Sequence, residues 1–324
     1  MIKIEHLTKN YGSNCAVDDI SCEIAAGETV GFLGPNGAGK STTMNIVTGC
    51  ISPTEGSVSV CGHDVLTDPK LAKSKIGYLP ENPPLYFDMT VYEYLDFVYD
   101  LKRCKLPRKE HIADIMERVK ITHMSQRLIK NLSKGYKQRV GLAQAMIGEP
   151  EILILDEPTV GLDPKQIIEI RNLIRSLGRE HTVILSTHIL QEVSAVCDRV
   201  AIISQGRIVA QNTISGLEDE SYDKDEVILT VLTDDRSVRD VILSCNLIEG
   251  LTAVSSNTQG VQKFIIKQKS GCDIRPELCK VLSMNNFTIG ELKCSAPTLE
   301  EIFIKYASMA DVPDTEEIEA KEEE

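Results

Sequence analysis

Apolar and polar residues alternate along the first part of the chain, and the spacing becomes longer further on. Alternation through Met1–Leu7, Val17–Ile24 and Thr29–Leu33 predicts three strands, since successive side chains of a strand point to opposite faces. From about residue 83 to residue 147 the apolar positions recur every three or four residues, as on one face of a helix. A helical lobe is therefore predicted at about 83–147.

Short apolar strands and periodic helices alternate after this lobe. Ile152–Leu155 and Thr182–Ser186 have the composition of buried strands, and Lys165–Leu177 and Leu190–Cys197 have helical spacing. Strands that alternate with helices favour a largely parallel sheet with helices on both faces. The sequence thus predicts an α/β domain over residues 1–216.

A second, smaller domain is predicted at residues 225–310. An acidic, turn-rich stretch at 217–224 suggests a linker, and the pattern beyond it follows the order β-α-β-β-α-β, which is typical of a ferredoxin-like α+β fold. A further helix is expected from Thr298, where Thr298 and Glu301 would form a capping box. Residues 311–324 hold eight acidic residues and one lysine, so we predict a solvated, disordered tail.

The charge and the cysteines narrow the class of protein. The net charge is −13, of which the tail carries −7, so the rest of the chain is only mildly acidic and no nucleic-acid partner is expected. Ten cysteines without a CxxC pair, and a first segment that reads directly as a strand, suggest free thiols in a reducing cytosol. No apolar run approaches the roughly 20 residues of a membrane helix.

A glycine-rich loop after the third strand carries the strongest chemical signal. It matches G-x-x-x-x-G-K-[ST], and the residues predicted to bind nucleotide are Gly34, Pro35, Asn36, Gly37, Ala38, Gly39, Lys40, Ser41 and Thr42. Such a loop turns successive backbone N–H groups toward a polyphosphate at the positive end of a helix. Lys40 would reach the β- and γ-phosphates, and the Ser41 hydroxyl would bind Mg²⁺.

Two adjacent carboxylates follow the apolar strand Ile152–Leu155. Asp156 at the strand end would hold Mg²⁺ through water, and Glu157 would orient or deprotonate the water that attacks the γ-phosphate. Adjacent acids at a strand end are common on solvated edges. Their occurrence together with a phosphate-binding loop favours the catalytic interpretation.

These motifs, in this order, resemble the ATPase subunits of ABC transporters over about residues 1–215. Leu132-Ser133-Lys134-Gly135-Tyr136 resembles the family signature LSGGQ, and Gly161-Leu162-Asp163 resembles the loop that crosses the dimer interface. Tyr11 resembles the aromatic residue that stacks on adenine, and His188 in Ser186-Thr187-His188 resembles the histidine that senses the γ-phosphate.

The resemblance implies a P-loop NTPase fold and hydrolysis of ATP with Mg²⁺. In the family, Ser133 and Gly135 would contact the γ-phosphate held by the other subunit, so a second copy or a paralogous ATPase completes each site head to tail. A separate transmembrane permease would dock on the helical lobe, which places the chain at the cytoplasmic face of the membrane. Pro297-Thr298-Leu299-Glu300-Glu301-Ile302-Phe303 resembles the end of the tail domain in type-two exporters for drugs, antibiotics or sodium.

The chain departs from the family pattern at two places. Lys134 and Tyr136 replace Gly and Gln of the signature, and our hypothesis is that Lys134 adds positive charge near the γ-phosphate. Glu81 stands where the family has a glutamine that binds Mg²⁺ and signals to the permease. A carboxylate also binds Mg²⁺ but adds a negative charge beside two phosphates.

Two other functions remain open from the sequence. A soluble ABC ATPase that acts on ribosomes or DNA would use basic clusters such as Lys102-Arg103-Lys105, although a solvated helix face explains them more simply. A regulatory subunit would bind ATP with little turnover. The presence of Lys40, Asp156, Glu157 and His188 argues against the second of these.

Overall fold

The computed structural model describes residues 1–221, 226–254, 260–269, 272–294 and 299–309. The chain divides into two compact units, one formed by Met1–Leu217 with the chain from Phe303 onward, and one formed by Glu218–Ile302. Within the described ranges, none of the helices has the length and apolar character needed to cross a bilayer. All ten cysteines are free thiols.

Strands and helices alternate through the first unit. Its strands are β1 (Ile2–Tyr11), β2 (Asn14–Ile24), β3 (Thr29–Leu33), β4 (Glu55–Val60), β5 (His63–Asp64), β6 (Ile76–Leu79), β7 (Ile152–Asp156), β8 (Thr182–Thr187), β9 (Arg199–Ser204) and β10 (Arg207–Thr213). The helices up to residue 221 are α1 (Lys40–Val47), α2 (Pro69–Ser74), α3 (Val91–Leu101), α4 (Arg108–Arg118), α5 (Lys134–Met146), α6 (Pro164–Leu177), α7 (Leu190–Val196) and α8 (Ile214–Ser221).

A six-stranded sheet in the order β10-β9-β3-β8-β7-β6 forms the centre of this unit. All neighbouring pairs are parallel except β9 and β10. Every residue of β3, β7 and β8 is buried, which explains why apolar residues dominate both faces of these strands. The register sets Leu33 beside Thr187 and Asp156 beside Ser186, so the loops that leave these strands begin side by side. The predicted α/β fold is confirmed.

An antiparallel sheet in the order β2-β1-β4-β5 packs on the same core. Its alternating side chains, among them Ile2, Ile4 and Ile20, are fully or almost fully buried and share a cluster with Met44 and Ile46 of α1. One face of this sheet is therefore apolar and the other polar, as alternation predicts.

The first helix of the lobe, α3, begins with a capping box, as the spacing of Thr90 and Glu93 predicts. The Thr90 hydroxyl accepts a hydrogen bond from the backbone N–H of Glu93 at 3.3 Å, and the Glu93 carboxylate accepts from the Thr90 N–H at 2.8 Å. Tyr94 and Tyr99 fill the core of the lobe, whereas Tyr86 is 53% exposed. The tyrosines thus divide between core and surface.

Lys102 closes the carboxyl end of α5. Its ammonium group donates to the carbonyl oxygens of Gln144, Ala145 and Ile147, each at 2.9 Å. A cation there satisfies orphan carbonyls and opposes the negative end of the helix dipole. Lys102 of the basic cluster Lys102-Arg103-Lys105 is therefore engaged by these carbonyl groups, although the residue itself is exposed.

The second unit has the predicted element order β-α-β-β-α-β. Its elements are β11 (Glu226–Val231), α9 (Val238–Leu243), β12 (Ile248–Val254), β13 (Gln262–Gln268), α10 (Arg275–Met284) and β14 (Ile289–Cys294). The strands form an antiparallel sheet in the order β12-β13-β11-β14, and the two helices bury Ile242 and Leu278 against it. Helix α11 (Leu299–Met309) follows. The exact domain limits stay a prediction.

Two segments differ from the sequence prediction. Residues 217–221 of the predicted linker belong to α8, in which Leu217 is fully buried and outweighs the turn-like composition. Residues 74–79 also have the pattern of a strand, but Ser74 ends the short helix α2, whose six residues are too few to show a helical period, and β6 begins at Ile76. Thr298 and the acidic tail 311–324 lie outside the described residues.

Candidate nucleotide site

The glycine-rich loop lies between β3 and α1, as predicted, and its shape requires glycine. Gly39 has φ 101°, a conformation that other residues rarely adopt, and a Cβ there would lie 2.5 Å from the carbonyl oxygen of Ala16. A Cβ on Gly34 would lie 2.3 Å from the carbonyl oxygen of Ile203. The backbone can therefore curl closely only where these side chains are missing.

Lys40 is the buried cation of the loop. Its ammonium group donates to the carbonyl oxygens of Gly34 at 2.8 Å and Pro35 at 3.1 Å and lies 3.7 Å from the Glu157 carboxylate. Burial lowers the pKa of Lys40, and the carboxylates of Glu157 and Asp156 oppose that shift. The lysine thus bridges the phosphate-binding loop and the strand-end carboxylates.

An open cavity of about 270 Å³ follows the loop. Its lining residues are Ala16, Asn36, Gly37, Gly39, Lys40, Ser41, Thr42, Glu81 and Glu157. The structure therefore brings Glu81 to the same cavity as the loop residues and the carboxylate after β7. Tyr11 does not line it. That side chain is half-exposed at the end of β1, with the Lys9 ammonium 5.2 Å from its ring centre.

Asp156 and Glu157 stand at the carboxyl end of β7 and are both buried. Glu157 has φ 47°, a left-handed conformation that is costly for a residue with a side chain, and its N–H donates to the Ser186 carbonyl at 2.9 Å. Both Glu157 oxygens lie 2.9 Å from Nδ1 of His188. Lys40, Glu157 and His188, predicted from three separate motifs, form one cluster.

One oxygen of Asp156 fits a polar ligand. Oδ1 is fully buried and has no hydrogen-bond partner within the part of the chain that the structure describes, and the same is true of the Ser186 hydroxyl. A buried oxygen without a partner is costly unless a ligand or water satisfies it. Together with Ser41 in the cavity, this donor set suits a hard cation such as Mg²⁺, which takes few protein ligands and keeps waters and phosphates.

The signature residues lie around a different cavity, of about 350 Å³. Gly135, Tyr136, Asp163 and Gln166 are among its lining. Ser133 occupies the N-cap position of α5, where a serine is expected to form a capping bond, but its side chain makes none there. Within one chain, the loop residues and the signature residues therefore line separate cavities.

Gly135 and Asp163 are tied together across this second cavity. A Cβ on Gly135 would lie 2.4 Å from the amide oxygen of Gln166, so the Gln166 side chain packs directly on the signature. Asp163 accepts a hydrogen bond from the Gln166 N–H at 2.9 Å and thereby caps α6. Lys134 packs closely on Gly161, because a Cβ on Gly161 would lie 2.3 Å from the Lys134 ammonium group.

A cluster of polar side chains around Glu192 was not predicted from the sequence motifs. Glu192 on α7 is buried, and its carboxylate contacts the side chains of Thr159, Thr187 and Arg171. The only sequence signal is a single acid on a short apolar helix, Leu190-Gln191-Glu192-Val193, directly after His188. Such an acid is more often exposed, so the motif search passes over it.

We expect Gly39→Ala to lower the affinity for ATP by at least tenfold. The added methyl group would meet the Ala16 carbonyl, and relief of that contact would turn the N–H groups of the loop away from the phosphates. Equilibrium binding of a fluorescent ATP analogue measures the change. Gly27→Ala is the matched control, because Gly27 also has positive φ (74°) but faces open space; equal losses for both variants would contradict this account.

Comparisons with known proteins agree with this geometry. The family model described as "ABC transporter" matches residues 17–160. The chain is 34% identical to the uncharacterised ABC transporter ATP-binding protein YhcH of Bacillus subtilis, over 94% of this chain and 95% of that protein. It is 39% identical to the bacitracin transport ATP-binding protein BcrA of Bacillus licheniformis, over 65% of this chain and 69% of that protein.

Solved structures give the same result. An ATP-binding cassette in a dimeric post-hydrolysis state with ADP and Pi has a TM-score of 0.61 and 26% identity, over 66% of this chain and 98% of that one. An ATP-binding subunit of an ABC transporter has a TM-score of 0.62 and 28% identity, over 68% and 92%. The loop, the strand-end carboxylates and these relatives together make this chain a member of the ABC transporter family, as the ATP-binding and ATP-hydrolysing subunit of an exporter-type transporter.

Proposed function

We propose that two ATPase chains, this one with a second copy or a paralogue, close head to tail around two ATP molecules. The support is the separation of the two cavities within one chain: the loop residues line one, and Gly135 and Asp163 line the other. In a head-to-tail dimer each ATP would contact the loop of one subunit and Ser133 and Gly135 of its partner. Tyr11 would stack on adenine.

The cluster of Lys40, Glu157 and His188 carries the proposal for the chemistry. Glu157 faces the cavity that the phosphate-binding loop lines, where its carboxylate would orient or deprotonate the attacking water. Lys40 and the loop N–H groups would stabilise charge on the phosphates. His188, 2.9 Å from Glu157, would contact the γ-phosphate and keep the carboxylate in place.

Mg²⁺ is the expected cofactor of the bound ATP. Ser41 and Asp156 are the residues we expect to hold it, and Glu81 lines the same cavity as Ser41. When bound, the ion would neutralise negative charge on the phosphates of ATP. The additional carboxylate of Glu81 raises the local negative charge. The site should therefore favour ATP that carries a divalent cation over ATP that carries none.

The helical lobe offers a surface for a separate transmembrane permease. Tyr86, Phe87 and Phe97 are 53%, 51% and 37% exposed, and Tyr86 contacts Phe97 edge to face at 5.3 Å. Exposed aromatic residues are typical of interface centres. Binding there would hold the chain at the cytoplasmic face of the membrane, where closing of the ATPase dimer would drive the permease between two states.

We expect the chain, with Glu157→Gln and ATP to trap the dimer, to co-purify with a polytopic membrane protein from detergent-solubilised membranes. Phe87→Ser with Phe97→Ser should reduce that capture at least fivefold, because the exposed aromatic contact is lost. Leu66→Ser, at a residue 51% exposed outside the lobe, is the matched control. Capture of ribosomes or DNA in place of a membrane protein, or capture that ignores the lobe substitutions, would contradict the proposal.

A further inference from the structure

A buried carboxylate joins the two loops that carry Glu157 and His188. Glu192 of α7 is 1% exposed. One of its oxygens accepts a hydrogen bond from the Thr187 hydroxyl at 2.7 Å, and the other accepts from the Thr159 hydroxyl. The guanidinium of Arg171 lies 3.7 Å from the oxygen that Thr159 contacts. A carboxylate so far from water is stable only with such partners.

The two threonines lie close in sequence to residues of the proposed site. Thr187 directly precedes His188, and its hydroxyl also accepts from the Ile189 N–H at 3.1 Å, so the backbone is held on both sides of the histidine. Thr159 lies two residues after Glu157, and its carbonyl accepts from the Leu162 N–H at 3.2 Å, next to Asp163. Each threonine therefore fixes a loop that carries a proposed site residue.

The contacts close into a ring. Glu157 lies 2.9 Å from His188, the chain leads from His188 to Thr187, and the Thr187 hydroxyl binds Glu192. Glu192 binds Thr159, from which the chain returns to Glu157 within two residues. Thr159, Thr187 and Glu192 are buried, whereas the His188 side chain is 42% exposed, and the ring is rigid because every hydrogen bond in it depends on the others. A shift of His188 would therefore also displace the loop that leads to Asp163.

We propose that Glu192 is a positioning residue for ATP hydrolysis: it sets His188 against Glu157 and couples the histidine to the loop that ends at Asp163. It touches no nucleotide and acts through the two threonines. Contact of His188 with the γ-phosphate would thus be transmitted to the loop that faces the partner subunit. The proposal rests on hydrolysis at this site and adds how its two switch loops move together.

The test compares Glu192→Gln with wild-type full-length chain. The amide keeps the volume but removes the charge beside Arg171 and one of the two acceptor oxygens. We expect kcat to fall ten- to a hundredfold and KM for ATP to stay within threefold, because the phosphate-binding loop does not contact Glu192. Thr187→Val should cause the same loss of kcat. Thr187→Ser, which keeps the hydroxyl, should retain at least half of the wild-type kcat.

A double-mutant cycle separates positioning from simple packing. If Glu192 acts through His188, Glu192→Gln should reduce the residual kcat of a His188→Ala variant by less than twofold. A loss that multiplies fully on that background, or a wild-type kcat for Glu192→Gln, would overturn the proposal. So would an equal loss for Thr187→Ser and Thr187→Val, since that pattern reports packing and not the hydroxyl.

Failure of the proposal is distinguishable from failure of the proposed site. Wild-type turnover that Glu157→Gln abolishes, together with full activity of Glu192→Gln, leaves the site intact and refutes the positioning role. Equal activity of Glu157→Gln and wild type refutes the site itself. Thr187→Ser keeps the comparison meaningful if Glu192→Gln folds poorly, because it changes only one methyl group.

Discussion

Glu157→Gln is expected to reduce ATP turnover by about 10²–10⁴-fold while ATP still binds, because an amide cannot take a proton from the attacking water. The substitution keeps the shape of a side chain that is only 6% exposed and leaves Lys40 and the glycine-rich loop in place. The closed dimer should therefore form and persist. Single-turnover kinetics with radiolabelled ATP measures the chemical step, and a sizing column with ATP measures the dimer.

Glu151→Gln is the matched control for this prediction. Glu151 immediately precedes β7, at the end of the strand opposite Glu157, and pairs with Lys75 at 2.5 Å near the surface. Its substitution should leave turnover within twofold of wild type. A Glu157→Gln protein that is monomeric with ATP and fully active would refute the role of Glu157.

Much of the first unit follows from local sequence, and the structure shows why. The strands β3, β7 and β8 are buried on both faces, so apolar residues dominate the centre of each strand. Parallel register then brings their carboxyl ends together, which is enough to place Lys40, Glu157 and His188 in one cluster. For these three residues, the sequence motifs and the sheet topology both predict that the side chains lie together.

Other features depend on contacts between distant positions. Thr159 and Glu192 are 33 residues apart, and neither belongs to a pattern that indicates their contact. The turn-like composition of residues 217–224 predicts a linker, yet burial of Leu217 extends a helix to Ser221. In each case the tertiary environment decides a local choice that propensity leaves open.

The nucleotide site also combines features that follow from local sequence with features that depend on the fold. Asp163 matches a family loop that crosses the dimer interface, but in this chain its carboxylate caps α6, a role visible only once the helix start is known. Glu81 replaces the glutamine of the family pattern and shares a cavity with Ser41, and its metal role stays a prediction. Motifs thus identify which residues matter, and the fold decides what each one touches.

Lys40→Met should abolish ATP binding and lower the free energy of unfolding by about 3 kcal/mol, because it leaves the buried Glu157 carboxylate without its cation. Lys40 and Glu157 are 5% and 6% exposed and 3.7 Å apart, so removal of the lysine leaves a carboxylate that has little contact with water. The Gly34 and Pro35 carbonyls lose a donor as well. Urea unfolding monitors the stability, and a fluorescent ATP analogue monitors binding.

Addition of Glu157→Gln to Lys40→Met separates the two losses. The neutral pair should recover most of the stability, since neither side chain is left as an isolated buried charge, while ATP binding stays lost because the phosphates still lack the ammonium group. Lys40→Arg keeps the charge but not the compact shape, so it should remain stable and bind ATP weakly. Additive losses in the double variant would show that Lys40 stabilises the chain through the loop carbonyls and not through Glu157.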